Sequence, residues 1–271
     1  MNWFSQRRAV ALLLGVALIA PVALAQDWQS SLTPATPGSF PPLRPLRATY
    51  RFGWSGFTAA TADMHLARSG NNSVLEAKAR TVDMARPLWP FDAEHMATAD
   101  TSTLRPIEVK QTESERSKRV TTTLAFDAHG VTAKRGEVSG PLKARRFDRA
   151  NFFDLQTSLL FTRSQPLTNG SATRFIIFPG KDPYLVILTV LGRERVTIPA
   201  GTYNAIKLDL KLNKIGKNNE LKPHKKFRKA TVWLSDDGDR IPLRAEAEVF
   251  IGSVFAELQS VEFENGPARV D

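Results

Sequence analysis

Apolar and polar positions alternate along most of this chain. Leu46, Ala48, Tyr50, Phe52 and Trp54 are interleaved with Arg47, Thr49, Arg51 and Gly53. That period of two sets one face of a strand on a core and the other in water. After the turn Ser55-Gly56, Ala60, Ala62, Met64 and Leu66 alternate with Thr61, Asp63, His65 and Ala67. Gly70-Asn71-Asn72 leads into a third run over 74–82, and the three predict an antiparallel meander. Pro87, Trp89 and Pro90 then break the pattern between Met84 and Phe91. They predict a short apolar turn or helical cap that plugs one end of a barrel. Alternation resumes over Ala93–Asp100, Arg105–Glu113, Arg119–Phe126 and Val131–Arg135, the last two joined as a hairpin through Asp127-Ala128-His129-Gly130.

One helix is expected. Asn151 or Asp154 can cap it, and Phe152, Leu155, Leu159 and Leu160 fall at helical spacing through Arg163. Strand patterns follow over Ala172–Phe178, Tyr184–Leu191, Arg195–Ile198, Tyr203–Leu212, Lys229–Leu234, Arg244–Phe250 and Val254–Phe263. About a dozen strands or more with one short helix predict an all-β fold. The expected architecture is a large antiparallel barrel or a half-barrel wrapped on the helix, with a two-sheet β-sandwich as the alternative. A lipid-facing barrel would need an apolar outside and aromatic girdles. Here Arg and Lys stand opposite the apolar face of short strands, which argues against it.

The N-terminus carries a different pattern. Arg7 and Arg8 precede an apolar run from Ala9 to Leu24, and Ala23-Leu24-Ala25 is a small-x-small cleavage signal. Residues 1–25 thus read as a secretory signal peptide cleaved near Ala25-Gln26, which predicts a periplasmic protein. As an uncleaved anchor the run is shorter than the roughly 18–20 residues a spanning helix wants, and it contains Pro21. Residues 26–45 hold Pro34, Pro37, Pro41, Pro42 and Pro45 among Ser, Thr and Gly, and read as an extended, poorly ordered linker. A single all-β domain is expected over 46–264, with a tail at 265–271. No other segment reaches membrane-spanning length.

Composition removes several chemistries. There is no cysteine in the 271 residues, so disulfides, thiolate metal sites, cysteine nucleophiles and a cysteine-linked lipid anchor are excluded. The fold must rest on its core. Net charge is +10, falling to about +8 without Arg7 and Arg8, and such an excess favours acidic partners: anionic lipid, an acidic envelope polymer or an envelope protein. Nucleic acid is not expected for an exported chain. Lys214, Lys217, Lys222, Lys225, Lys226, Arg228 and Lys229 crowd one long loop with His224, opposed only by Glu220. A second cluster, Lys143, Arg145, Arg146 and Arg149, precedes the helix, and a third is Arg116, Lys118 and Arg119. Near an anionic surface each such charge is worth about 1 kcal/mol; otherwise these are solvated faces.

No catalytic or metal pattern emerges, and no cofactor is expected. Gly136-Glu137-Val138-Ser139-Gly140 has the wrong spacing for a nucleophile elbow. The four histidines show no metal-helix spacing. Asp92 and Glu94 share one strand face and His95 takes the other. Asp236, Asp237 and Asp239 with Ser235 read as turn chemistry, since no Glu follows at the distance a calcium loop requires.

Two stretches are more specific. Val196-Thr-Ile-Pro-Ala-Gly-Thr-Tyr203 is strand, turn, strand, with Pro199 fixing φ and Gly201 free to take a left-handed angle. Trp233-Leu-Ser-Asp-Asp-Gly-Asp-Arg-Ile-Pro-Leu243 is a hairpin. With Asp154-Leu-x-x-Ser158-Leu and Gly252-Ser-Val-x-Ala-Glu-Leu258, the set resembles a bacterial exported family of unknown function, DUF3108, over roughly Arg47 to Glu262. The resemblance implies an all-β periplasmic protein without assigned activity or catalytic residues.

The resulting expectation is a binding or carrier module for a lipid-like ligand, with Tyr50, Phe52, Trp54, Trp89 and Phe91 as its wall. The alternatives are a structural or assembly partner in the cell envelope, with a filled core, and a hydrolase with an unrecognised carboxylate site.

Overall fold

A computed structural model describes residues 28–224, 229–249 and 252–264. The signal segment, Lys225, Lys226, Arg228 and the tail lie outside the described residues. The chain divides into two units, Met1–Ser31 and Leu32–Asp271. The described part of the first is one 3-10 turn, Trp28–Ser31; all that follows concerns the second.

Eight strands form a meander in chain order: β1 (Leu46–Trp54), β2 (Phe57–Ser69), β3 (Asn72–Thr81), β4 (Phe91–Asp100), β5 (Pro106–Glu115), β6 (Lys118–Asp127), β7 (Gly130–Glu137) and β8 (Lys143–Asp148). A four-residue helix, α1 (Ala85–Leu88), joins β3 to β4, where the prolines predicted a turn or cap. The pair β9 (Phe152–Phe153) and α2 (Leu155–Ser164) follows. Then come β10 (Ala172–Ile177), β11 (Tyr184–Ile198), β12 (Gly201–Ile215), β13 (Leu221–Pro223), β14 (Lys229–Ser235), β15 (Pro242–Val249) and β16 (Gly252–Phe263). All sixteen belong to one sheet, ordered β8-β7-β6-β5-β4-β3-β2-β1-β16-β15-β14-β12-β11-β10-β9, with β13 on β12. The single hydrogen-bonded path rules out two stacked sheets, so the sandwich alternative is set aside. Among the described residues only β9 and β10 pair in parallel.

The sheet curls but does not close. Its ends, β8 and β9, share no ladder. They meet through rings instead: Phe147 of β8 lies 4.6 Å from Phe178, and Phe152 of β9 lies 5.8 Å from the same ring. Register shifts bend the strands between Thr49 and Tyr50, Phe52 and Gly53, and Val190 and Gly192, as one inserted residue does. At Gly53 a Cβ would stand 2.2 Å from the Phe57 carbonyl and from the Phe255 ring, so only glycine fits. The Pro199-Ala200 turn ends on Gly201 at φ +134°, as its residues predicted.

Helix α2 starts where a buried carboxylate stops the chain from fraying. Asp154 Oδ1 accepts from the backbone N–H groups of Gln156 (2.6 Å) and Thr157 (3.1 Å), and Thr157 Oγ1 accepts from Asp154 N (3.0 Å). The reciprocal pair satisfies donors that a helix start leaves open. Asn151 does not cap it, and Phe152 belongs to β9 rather than to the helix, because the capping geometry begins two residues later.

Two apolar clusters hold the fold. In one, Phe153 and Phe161 pack with Phe175, Val186, Leu188, Ile206, Leu208 and Leu234. The other gathers Leu46, Leu66, Leu243, Leu258, Ile241 and Trp233.

Residues 32–45, expected to be poorly ordered, are docked. Thr33 N donates to Arg174 O (2.9 Å), Gly38 N to Ser164 Oγ (3.0 Å), and Arg163 Nη1 to Pro41 O (2.7 Å). Arg44 grips Asp239 with two bonds, 3.0 and 2.7 Å. The prolines hold the segment extended; Arg163 and Ser164 of α2 bond its backbone, and Asp239 of the β14–β15 hairpin holds its Arg44 side chain.

Candidate ligand cavity

The inner face of the sheet is built in register rows. Thr81, Ala60, Phe52, Ala256, Ala245 and Val232 stand side by side across six strands. The next row runs Leu210, Ala230, Ala247, Val254, Trp54 and Phe57. On the other side Ala93, Ala79 and Ala62 lead to Tyr50 and Leu258. Alanine at so many inward positions leaves volume that larger side chains would fill. The result is a cavity of about 550 Å³ lined by Phe52, Trp54, Trp89, Phe91, Leu210, Leu212 and all of these alanines except Ala62 and Ala93, with Thr81, Thr231 and Glu246 as its polar side chains.

Helix α1 forms one lip. Thr81 Oγ1 donates to Trp89 O (2.9 Å) and accepts from Phe91 N (3.1 Å). Trp89 Nε1 donates to Glu115 Oε1 (2.7 Å), and its ring stacks on Phe91 at 5.3 Å. Beyond it the rim is apolar and open: Phe57 is 75 % exposed, Met84 83 % and Leu88 75 %. Exposed large apolar groups gathered at one mouth mark contact with something other than water.

Four of the five expected wall residues therefore meet in one cavity. The fifth, Tyr50, lines a neighbouring cavity of about 240 Å³ between the sheet and α2. Its hydroxyl donates to Pro242 O (2.9 Å), and burial raises its pKa. The rows here are instructive. Val261, Ala48, Met64, Ala77, His95, Gln111, Thr122 and Arg135 form one line across β16 and β1–β7. It is apolar at one end and polar at the other. At the polar end Arg135 pairs with Glu113 at 3.0 Å and donates to Thr122, and Gln111 Nε2 donates to Glu113 Oε1 at 2.8 Å. His95 faces inward, away from Asp92 and Glu94 as the alternation predicted, and burial lowers its pKa. Gln156 of α2, which shares this cavity with His95, was not singled out from sequence, and His95 was weighed there only beside Asp92 and Glu94. No local motif marks them; strand pairing and helix docking bring them together.

The basic residues are mostly occupied. Lys214 pairs with Asp182 at 2.7 Å and Lys222 with Glu220 at 2.8 Å. Arg146 bridges Asp127 (2.6 Å) and Asp148 (2.9 Å). Arg145 lies over the Phe147 ring at 5.0 Å. Lys217 stands in the β12–β13 turn and Lys229 opens β14, both exposed. Residues 143–148, expected as a run before the helix, form edge strand β8. Tertiary structure also merges two clusters: Arg149 donates to Asn219, and Arg145 is close enough to Lys214 to oppose its charge. The three hairpin carboxylates are turned on protein donors. Asp237 accepts from Ser235 Oγ and the backbone of Asp239 and Arg240, Asp239 takes Arg44, and Asp236 takes Arg193.

An unclosed barrel with an apolar interior is thus the class that fold and cavity define. Residues 48–259 match the family described as a protein of unknown function, DUF3108, and this chain belongs to it. No curated protein matches. Among solved structures, a β-barrel-like protein of the unknown-function family DUF1849 from Brucella abortus is similar over 83 % of this chain and 100 % of its own, at 10 % identity and a TM-score of 0.58. That likeness shows the β-barrel-like fold. A candidate exported protein with a YmcC-like fold from Bacteroides fragilis covers 83 % of this chain and 99 % of its own at 9 % identity, with a TM-score of 0.35. Among the described residues no helix is long and apolar enough to cross a membrane.

Proposed function

We propose that this protein is exported to the periplasm and there binds or carries a lipid-like ligand in the larger cavity. One observation carries the reading: rows of alanine leave about 550 Å³ open in the interior of the sheet, where packing would otherwise put larger side chains. That volume is in the range of small-molecule sites. The lining suits a hydrocarbon chain. Burying about ten methylenes at about 0.8 kcal/mol each gives ~8 kcal/mol, the scale of micromolar binding before ordering costs. The exposed rim of Phe57, Met84 and Leu88 offers an apolar path between the cavity and a membrane or partner. A second reading, docking on an anionic envelope polymer or protein, draws on the basic residues that β8 and the β12–β13 turn bring together.

Native mass spectrometry on the mature protein, purified gently from the envelope, tests the first reading. A reproducible co-purifying lipid mass, regained by delipidated protein from envelope extract, is expected. A clean apo mass before and after incubation would overturn it and leave the docking surface as the working reading.

A further inference from the structure

The smaller cavity has a property that the larger one lacks. Among the described residues its lining, from Leu43, β1–β4, β16, α2 and Ile241-Pro242, contains no Asp, Glu, Lys or Arg. Against it stands Gln156, on the face of α2 shared by Leu159 and Leu160. Gln156 is only 5 % exposed, and among the described residues neither Oε1 nor Nε2 has a hydrogen-bond partner. A buried amide left open on both atoms is costly, and native interiors hold few such groups. His95 projects into the same cavity from β4. The Tyr50 hydroxyl is already spent on Pro242 O.

We propose that this cavity is a second binding site, taking an uncharged apolar molecule with one hydroxyl or primary amide group, which Gln156 recognises beside His95. The open amide supplies one acceptor and two donors, and a hydroxyl or amide can answer both kinds at once. A carboxylate can answer only the donors, and no cation lines the cavity to meet its charge. The cap carboxylate of Asp154, buried two residues away with Oδ2 unpartnered among the described residues, adds a further bias against anions. Leu155, at the edge of the cavity, is exposed and gives the surface access that such a ligand needs. The site does not depend on the larger cavity, whose lining shares no residue with it.

Binding of 1-octanol, octanamide, octanoate and octane to the mature protein tests the assignment. The alcohol and the amide are expected to bind at least about tenfold more tightly than octane, because a polar site rejects an analogue that leaves it unpaired. Octanoate should bind more weakly than both. Gln156→Leu should bring octanol and octane to within about twofold, and Gln156→Met provides the same comparison should the leucine variant fold poorly. In the wild-type protein the Gln156 side-chain NH₂ resonances should shift on adding octanol. Ala256→Phe, which obstructs only the larger cavity, should leave the preference for octanol intact. Equal binding of octanol and octane, a preference that survives Gln156→Leu and Gln156→Met, loss of the preference in Ala256→Phe, or a Gln156 resonance that meets water only would each overturn the proposal.

Discussion

At the scale of single residues, Asp154 carries a conflict. It caps α2 with two backbone hydrogen bonds, which favour its charged form, but it is nearly fully buried, with one oxygen unpartnered among the described residues. Burial wins and pushes its pKa up to about 6 from 3.8. The folded state therefore holds this proton more tightly than the unfolded chain does. Its contribution to stability is greatest below about pH 4 and is lost as pH rises to about 6. Two pH units correspond to about 3 kcal/mol at most. Asp154→Asn keeps the accepting oxygen and removes the charge, so its urea-unfolding stability should lack that fall between pH 4 and 6. Asp154→Ala should cost about 1 kcal/mol through the lost cap. A wild-type profile that matches Asp154→Asn would contradict the burial argument.

At the scale of elements, the lip of the larger cavity depends on one hydroxyl. Thr81 Oγ1 holds α1 by bonding on both sides of it, at Trp89 O and Phe91 N. Thr81→Val should cost about 1–2 kcal/mol and raise amide hydrogen exchange across 82–91, with α2 unchanged. Uniform exchange in the variant would show that α1 is held elsewhere. Elements also separate what local sequence can say from what it cannot. The meander β1–β7 was legible because each strand has one face on the interior and one in water. Strand β8 was not: Lys143-Ala-Arg-Arg-Phe-Asp148 reads as a charge run, yet an edge strand needs only one neighbour and gains by presenting charge outward. Strand β11 looked like two strands because Gly192 interrupts its pattern, whereas the glycine marks a bulge inside one.

At the scale of the molecule, the sheet divides its interior. Phe153, Phe161 and Phe175 of the first apolar cluster fill the space between α2 and β9–β12, while β1–β3 and β14–β16 present alanine. If that emptiness serves a ligand, Ala256→Phe should reduce lipid uptake by tenfold or more in native mass spectrometry while circular dichroism keeps the β signature. Undiminished uptake by a folded variant would place the ligand outside this cavity. Overpacking can cost about 1–3 kcal/mol, so the folded fraction must be measured alongside.

What the sequence by itself determined is local and periodic. Alternation defined the inward sets of β1 and β2, the Pro-Ala-Gly turn named its positive-φ residue, and the aromatic wall followed from Phe52 and Trp54 lying two apart on one strand. Helix α2 was visible in its cap and apolar spacing. Only tertiary structure decided where volume was left over, because a cavity is a sum over rows of residues on six or more strands, none abnormal alone. It decided that residues 32–45 dock, since their anchors Arg163 and Asp239 lie more than a hundred residues away. It also set His95 and Gln156 on one cavity, as no rule of spacing links a strand histidine to a helix amide; strand register and the docking of α2 do.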